Sequence, residues 1–250
     1  MSALRIEDLC VEVSGKRVLN GVDLDIPKGE THVLFGPNGS GKTSLIMAVL
    51  GFSNYRIVSG RILLNDTDIT DLPINERVKL GLGVTFQNPP AIRGVKLGDI
   101  VRSFTGKGLE VNELTETMRL PQEFLERDLN LGFSGGELKR SEILQVLAQK
   151  PYFVMLDEPD SGVDVENLEL IGKVVNKFLK GRSGLLITHL GYVLRYVNTQ
   201  SAHVLIDGLI ACSGKPVEIL GQILSEGYKW CEKCPAVKKK RCVQRISQQA

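Results

Sequence analysis

The most informative segment of this sequence reads Gly36-Pro37-Asn38-Gly39-Ser40-Gly41-Lys42-Thr43. It fits the P-loop pattern, whose glycines let backbone N–H groups converge on a phosphate without side-chain clashes. An apolar strand is predicted just before it, at Thr31–Phe35, and a helix just after it, whose positive N-terminal end faces the same anion. The segment therefore predicts a nucleotide site in which Lys42 reaches the β- and γ-phosphates and the Thr43 hydroxyl ligates Mg²⁺.

Strands and helices alternate on both sides of the P-loop. Upstream, Leu4–Val13 and Val18–Ile26 alternate apolar and polar residues and predict half-buried antiparallel strands. Downstream, strands are predicted at Arg61–Leu64, Gly83–Phe86, Tyr152–Leu156 and Leu185–Thr188, and helices at Gly41–Leu50, Leu138–Gln149 and Val163–Lys180. Tyr152–Leu156 is a continuous apolar run, as expected for a strand buried on both faces, and Leu185–Thr188 is predicted to be another buried strand. The pattern predicts an α/β fold with a mainly parallel sheet and crossover helices.

Composition narrows the class of protein. The chain has 250 residues, of which 42% are hydrophobic and 24% charged, as in ordinary globular proteins. A net charge of +2 gives no indication of a nucleic-acid partner. The N-terminus does not resemble a signal peptide, and no apolar run reaches the roughly 18 residues of a membrane span. We therefore expect a cytoplasmic protein that does not itself enter a membrane.

Polar side chains follow three of the predicted strands. Asp157 and Glu158 end the apolar strand Phe153–Leu156, where Asp157 would hold Mg²⁺ and Glu158 would orient or deprotonate the attacking water. His189 follows the next strand and is placed to donate to the γ-phosphate. Gln87 ends the strand before, where its amide would bridge Mg²⁺ and the water. Each residue alone is more simply a surface or structural residue, but the P-loop favours the functional interpretation.

A second candidate anion site precedes the helix Leu138–Gln149. It reads Ser134-Gly135-Gly136-Glu137, a serine and two glycines at a helix N-terminus. One nucleotide does not need two such sites. The economical explanation is that this site contacts the γ-phosphate bound by a partner copy, which predicts an ATP-dependent homodimer.

Taken together, these motifs resemble those of the ABC ATPase family in order and spacing. The matching segments are Gly36–Thr43, Gln87, Ser134–Glu137, Asp157-Glu158, Ser161–Asp164 and His189. The resemblance implies ATP hydrolysis to ADP and phosphate, with ATP held between the P-loop of one copy and the family's signature segment of the other, which is Ser134–Glu137 in this sequence. It assigns Asp164 to dimer closure. It also implies one ABC domain over 1–250: a core at 1–87 and 150–228 with an antiparallel β edge, a helical subdomain at about 88–149, and a Cys/Lys-rich tail at 229–250.

Within that family, the sequence is most similar to the ATPases of the Suf iron–sulfur cluster assembly system, the SufC family. The similarity lies in Thr85–Val95, Gly132–Gln145, Asp157–Asp164 and Ile187–His189. Transporter ATPases more often have Leu before Ser-Gly-Gly and Thr-Ser-Ala-Leu-Asp after the catalytic Glu-Pro. The resemblance implies a SufB-like scaffold partner, with or without a SufD-like companion.

Two alternatives remain. The first is the cytoplasmic ATPase of a membrane transporter, which predicts the same hydrolytic site. The second is an ABC-type DNA-repair or chromosome protein, which the absence of a heptad run disfavours.

Three cysteines stand apart from the generic ABC pattern, at Cys231, Cys234 and Cys242. The Cys-x-x-Cys spacing lets two thiolates converge on one metal, and the third nearly completes a Zn²⁺ or cluster site. Cys212, a second copy or the scaffold could supply a fourth ligand. The competing interpretation is a flexible basic tail whose thiols are incidental.

Overall fold

The computed structural model describes residues 1–105, 108–189 and 191–232. The strands are β1 (Ser2–Val13), β2 (Lys16–Pro27), β3 (Thr31–Phe35), β4 (Arg56–Leu64), β5 (Thr67–Asp68), β6 (Leu82–Thr85), β7 (Ile92–Lys96), β8 (Asp128–Leu129), β9 (Phe153–Asp157), β10 (Ser183–Ile187), β11 (Ser201–Ile206) and β12 (Leu209–Gly214). The helices are α1 (Lys42–Leu50), α2 (Ile74–Lys79), α3 (Leu97–Thr105), α4 (Gly108–Thr117), α5 (Gly135–Gln149), α6 (Val165–Leu179), α7 (Pro216–Glu226) and α8 (Lys229–Glu232). In the described ranges, no helix is both long and apolar enough to cross a membrane.

The chain divides into two compact units. The first comprises Met1–Pro27, Phe35–Arg77 and Ala202–Ala250, and the second comprises Lys28–Leu34 and Val78–Ser201. The boundaries predicted for the core, the helical subdomain and the tail stay a prediction.

An antiparallel sheet forms much of the first unit. In it, β1 pairs with β2 and β4, and β4 pairs with β5. Along β2, Leu24 and Ile26 are buried while Asp23 and Asp25 are exposed, as the alternation in the sequence predicts for a sheet with one solvated face. β11 and β12 form an antiparallel hairpin that lies outside this four-stranded sheet, and the sequence analysis did not predict it.

The first unit also fixes the end of α1, the helix that follows the P-loop. Gly51, with φ of 86°, terminates α1 in the left-handed region that favours glycine. Beyond it, the buried Arg77 guanidinium donates to four backbone carbonyls, those of Ala48, Val49, Thr70 and Leu72, at 2.7–2.8 Å. These bonds join the last turn of α1 to the segment that precedes α2.

A parallel sheet forms the centre of the second unit. There β10 pairs with β3 and β9, and β9 pairs with β6, and β3, β9 and β10 are buried along their whole length. The register places Thr85 opposite Leu156 and Asp157 opposite Ile187. The residues that follow β6, β9 and β10 therefore emerge at the same edge of the sheet.

The stretch from 88 to 149, predicted to be mostly helical, contains α3, α4 and α5 together with an antiparallel pair, β7 and β8. The pair was not predicted because its strands are short, five and two residues, and three of the five residues of β7 are exposed. An ion pair between Lys96 and Asp128, at 2.8 Å, fastens one end of it.

Candidate nucleotide-binding and hydrolytic site

The P-loop lies in the first unit, between β3 and α1, as predicted. Gly39 and Gly41 have φ of 78° and 107°, values that side chains other than glycine rarely adopt. A Cβ on Gly36 would stand 2.4 Å from the Leu205 carbonyl oxygen. Glycine is therefore required at these positions by backbone conformation or by close approach of the chain.

Two polar side chains inside the loop fit a bound phosphate. The buried Lys42 Nζ donates to the loop's own carbonyls, those of Gly36 at 2.7 Å and Pro37 at 3.0 Å. Ser40 Oγ is buried and, in the part of the chain that the structure describes, has no hydrogen-bond partner. An unpaired buried hydroxyl is costly, so a phosphate oxygen is the partner expected for it. The exposed Thr43 supplies an oxygen of the kind that Mg²⁺ prefers.

In the second unit, the structure brings together Glu158, Gln87 and His189. Glu158 is 5% exposed and has φ of 48°, and its N–H donates to the Ile187 carbonyl at 2.9 Å. Gln87 Nε2 donates to Glu158 Oε2 at 2.6 Å, and His189 Nε2 lies 2.7 Å from Oε1. Asp157, buried at the end of β9, immediately precedes this carboxylate. The three residues predicted for the chemistry thus form one hydrogen-bonded cluster at the sheet edge.

The loop after Glu158 is fastened by Asp160, for which the sequence analysis predicted no individual role. Its Oδ2 accepts from Thr188 Oγ1 at 2.7 Å and from the Val193 N–H at 3.4 Å. Thr188 Oγ1 in turn accepts from the Gly191 N–H at 3.0 Å. Asp160 therefore ties the loop that follows Glu158 to the segment that carries His189.

The signature residues form the capped N-terminus of α5. Ser134 Oγ accepts from the Glu137 N–H at 3.4 Å, and Glu137 Oε2 accepts from the Ser134 N–H at 2.7 Å, which is a capping box. The hydrogen bond from the Ser134 N–H holds the pKa of Glu137 below its usual value. Ser134 and Gly135 are exposed, so this helix end is accessible to an anion.

Asp164 lies beside the signature. A Cβ on Gly135 would stand 2.8 Å from the Gly162 carbonyl oxygen, so the two loops nearly touch. Asp164 caps α6 by accepting from the Asn167 N–H at 2.8 Å, and this hydrogen bond lowers its pKa. Ser134–Glu137 and Asp164 therefore share one exposed surface of the second unit.

The cysteine prediction falls mostly outside the structure. Cys234 and Cys242 lie beyond the described residues, and of Cys231 only the backbone, in α8, is described. The metal or cluster site stays a prediction.

Sequence reasoning missed two further buried charges, Lys139 and Glu142 on α5. Both lie among apolar positions that include Ile143 and Leu144. Charges three residues apart within an otherwise apolar helix face were the available signal.

The P-loop and the cluster around Glu158 define the class, a P-loop ATPase. The family profile described as ABC transporter matches residues 19–161. A probable ABC transporter ATP-binding protein of Streptococcus pyogenes is 40% identical over 243 residues, covering 91% of this chain and 94% of the relative. The probable ATP-dependent transporter SufC of Escherichia coli is 35% identical over 243 residues, covering 91% and 98%. Among solved structures, the ADP conformation of an ATP-binding cassette, MJ1267, has a TM-score of 0.73 at 26% identity and covers 90% of this chain and 96% of that one.

The chain belongs to the ABC ATP-binding cassette family. It binds ATP with Mg²⁺ and hydrolyses it. The α/β fold class, the ATPase activity and the two cofactors expected from the sequence are confirmed, while the roles of individual residues stay proposals.

Proposed function

We propose that this ABC ATPase drives conformational change in a Suf-type scaffold during iron–sulfur cluster assembly in the cytoplasm. The observation that carries the proposal is Asp160. The sequence resembles the Suf form of the loop in having Asp at this position, where transporter ATPases more often have Thr. Here the Asp160 carboxylate accepts from Thr188 Oγ1 and from the Val193 N–H. A Thr hydroxyl at position 160 would lie one bond closer to the backbone than these carboxylate oxygens do.

Phe133 supports the same proposal, because it replaces the Leu that transporters more often have before the signature. The Arg127 guanidinium carbon lies 4.7 Å from the centre of the Phe133 ring and 4.4 Å from that of Phe124. The two rings meet edge to face at 4.9 Å, and Arg127 Nη2 donates to the Gly132 carbonyl at 2.9 Å. Such stacking requires an aromatic ring at position 133.

Within this function, the residues take the following roles. ATP, when bound, supplies the phosphoanhydride bond to be broken, and Mg²⁺ neutralises its charge. Lys42 exchanges its carbonyl partners in the loop for phosphate oxygens, and Thr43, Gln87 and Asp157 are the proposed Mg²⁺ ligands. Glu158 Oε2 or Oε1 accepts the proton of the attacking water, and Gln87 and His189 hold that carboxylate in place.

Two copies are needed for the complete reaction. The P-loop already offers one anion site, and the exposed N-terminus of α5, at Ser134–Glu137, offers a second that one nucleotide does not need. We infer that this surface closes over the nucleotide of the other copy, and that the scaffold holds both copies.

Transport is the second candidate, because relatives such as the 40% identical Streptococcus pyogenes protein are named ABC transporter ATP-binding proteins. Purification of the tagged chain from native lysate separates the two. We expect a soluble SufB-like protein, with or without a SufD-like companion, in a stoichiometric complex. Recovery with an integral membrane protein from the membrane fraction would establish transport instead.

A matched pair of variants makes the test sharper. Ile92, in β7 shortly after Gln87, is 40% exposed, and Val217, on α7, is 84% exposed. We expect Ile92→Asp to reduce recovery of the scaffold at least several-fold. The reason is that the partner, whether scaffold or transporter, is expected to dock near the segment after Gln87. Val217→Asp adds the same charge elsewhere and should recover the scaffold normally. ATP hydrolysis by each isolated variant should match the wild type, which shows that folding is intact.

A further inference from the structure

α5 buries an ion pair whose purpose the ATPase mechanism does not explain. Lys139 and Glu142 have side chains that are each 5% exposed, and Lys139 Nζ lies 3.4 Å from Glu142 Oε2. Burial raises the pKa of Glu142, so its environment disfavours the charge. Buried pairs of this kind are poor stabilisers, since apolar residues of similar volume often serve as well or better. The contacts of the pair therefore require another explanation.

Those contacts are with the backbone of Phe86 and Gln87. Lys139 Nζ donates to the Phe86 carbonyl at 2.9 Å and to the Gln87 carbonyl at 3.0 Å. Glu142 Oε1 accepts from the Phe86 N–H at 2.8 Å. The ladder between β6 and β9 ends at Thr85, so the sheet does not pair these groups. Lys139 and Glu142 of α5 thus bind three backbone groups, which are the N–H and carbonyl of Phe86 and the carbonyl of Gln87.

Gln87, whose backbone is held in this way, also places its side-chain amide against Glu158, the proposed general base. Gln87 Nε2 lies 2.6 Å from Glu158 Oε2, and the Gln87 backbone is fixed on α5. Ser134 caps α5, so about 12 Å along one continuous helix separates Ser134 from Glu142.

We propose that Lys139 and Glu142 are positioning residues that make Gln87 move with the signature helix. This rests on the proposed two-copy arrangement, in which the N-terminus of α5 meets the partner's nucleotide. A displacement of α5 at that contact shifts the backbone of Gln87, and with it the hydrogen bond to Glu158. The nucleotide in one site is thereby sensed at the carboxylate that serves the other.

The test replaces the pair with apolar residues, as Lys139→Met/Glu142→Leu. Steady-state hydrolysis should show kcat reduced roughly 3- to 30-fold, the range of such couplings, with ATP binding to the isolated chain unchanged. The control is Lys173→Met/Glu169→Leu, which removes an exposed ion pair four residues apart on α6 and should leave kcat unchanged. Equal kcat in the wild type and the buried-pair variant would overturn the proposal.

A double-mutant cycle separates positioning from a structural role. If the pair acts through Gln87, then Lys139→Met/Glu142→Leu has no further effect on kcat in a Gln87→Ala background. Independent, multiplying effects would overturn the proposal. Should the double variant not fold, Lys139→Gln alone, which cannot reach both carbonyls, carries the same cycle.

The two-copy arrangement is checked separately with Ser134→Arg. Unchanged hydrolysis by Ser134→Arg would refute the proposed contact with the partner's nucleotide. The double-mutant cycle would still decide whether Lys139 and Glu142 position Gln87. If the double-mutant cycle gives independent effects while Ser134→Arg loses activity, only the proposal on Lys139 and Glu142 is refuted.

Discussion

Glu158→Gln is the substitution that most directly tests the proposed chemistry. The side chain accepts from Gln87 Nε2 at 2.6 Å and contacts His189 Nε2 at 2.7 Å. A glutamine keeps the shape of the side chain and still accepts from Gln87 Nε2 with its amide oxygen. It cannot accept the proton of the attacking water.

Stability and rate should therefore respond very differently. One charge-assisted hydrogen bond becomes neutral, which we expect to change the free energy of unfolding by about 1 kcal/mol and Tm by about 2–4 °C. Loss of the general base should lower hydrolysis by roughly 10²-fold or more, which corresponds to about 2.7 kcal/mol of barrier.

The assay is phosphate release with Mg²⁺ and ATP, beside binding of a fluorescent ATP analogue and gel filtration with ATP. We expect binding to persist and ATP to hold a closed dimer. Glu166→Gln, an exposed glutamate in the first turn of α6, is the matched control and should hydrolyse normally. Near wild-type turnover by Glu158→Gln would refute its assignment as the base.

Three further substitutions test other parts of the structure. Ser134→Arg should abolish hydrolysis while the isolated chain still binds ATP, because the substitution leaves the P-loop, Gly36–Thr43, unchanged; loss of binding in titrations would contradict the two-copy site. Arg77→Met should lower the free energy of unfolding by about 3 kcal/mol, since buried carbonyls at the end of α1 lose their donor; urea denaturation measures this, and a loss below about 1 kcal/mol would contradict it. Cys231→Ser/Cys234→Ser should lose Zn²⁺ or iron present in protein purified without oxygen, with hydrolysis unchanged; equal, negligible metal in both proteins would favour an incidental tail.

The contacts around Glu158 could be anticipated because parallel strands bring their carboxyl ends to one edge. Once strands were recognised before Gln87, Glu158 and His189, the topology alone required the three residues to converge. The P-loop could be recognised from the sequence for a different reason, because its glycines meet a local requirement of the backbone conformation. At Gly36 that demand includes the close carbonyl of Leu205, which the sequence did not reveal.

Other contacts depend on partners distant in the chain, which spacing cannot identify. Arg77 gives no sign in the sequence that it spans to Ala48, and Lys139 none that it reaches Phe86. The hairpin β11–β12 was not predicted, although the sequence carries a signal for it: the largely apolar Ser201–Ile206 is followed by Asp207-Gly208, a dipeptide that favours a tight hairpin turn.

The two helix caps of the second unit differ in a way that bears on which of them yields to an anion. Asp164 accepts from the Asn167 N–H at 2.8 Å, and its second oxygen accepts from the Asn167 side chain at 2.6 Å. Ser134 Oγ accepts from the Glu137 N–H at 3.4 Å, beyond the usual length of such a bond. The Glu137 N–H at the start of α5 is therefore held more weakly than the Asn167 N–H of α6, so a phosphate oxygen that binds it displaces a weaker hydrogen bond. This difference favours the signature helix as the end that engages a nucleotide and Asp164 as the end that keeps its loop in shape beside it.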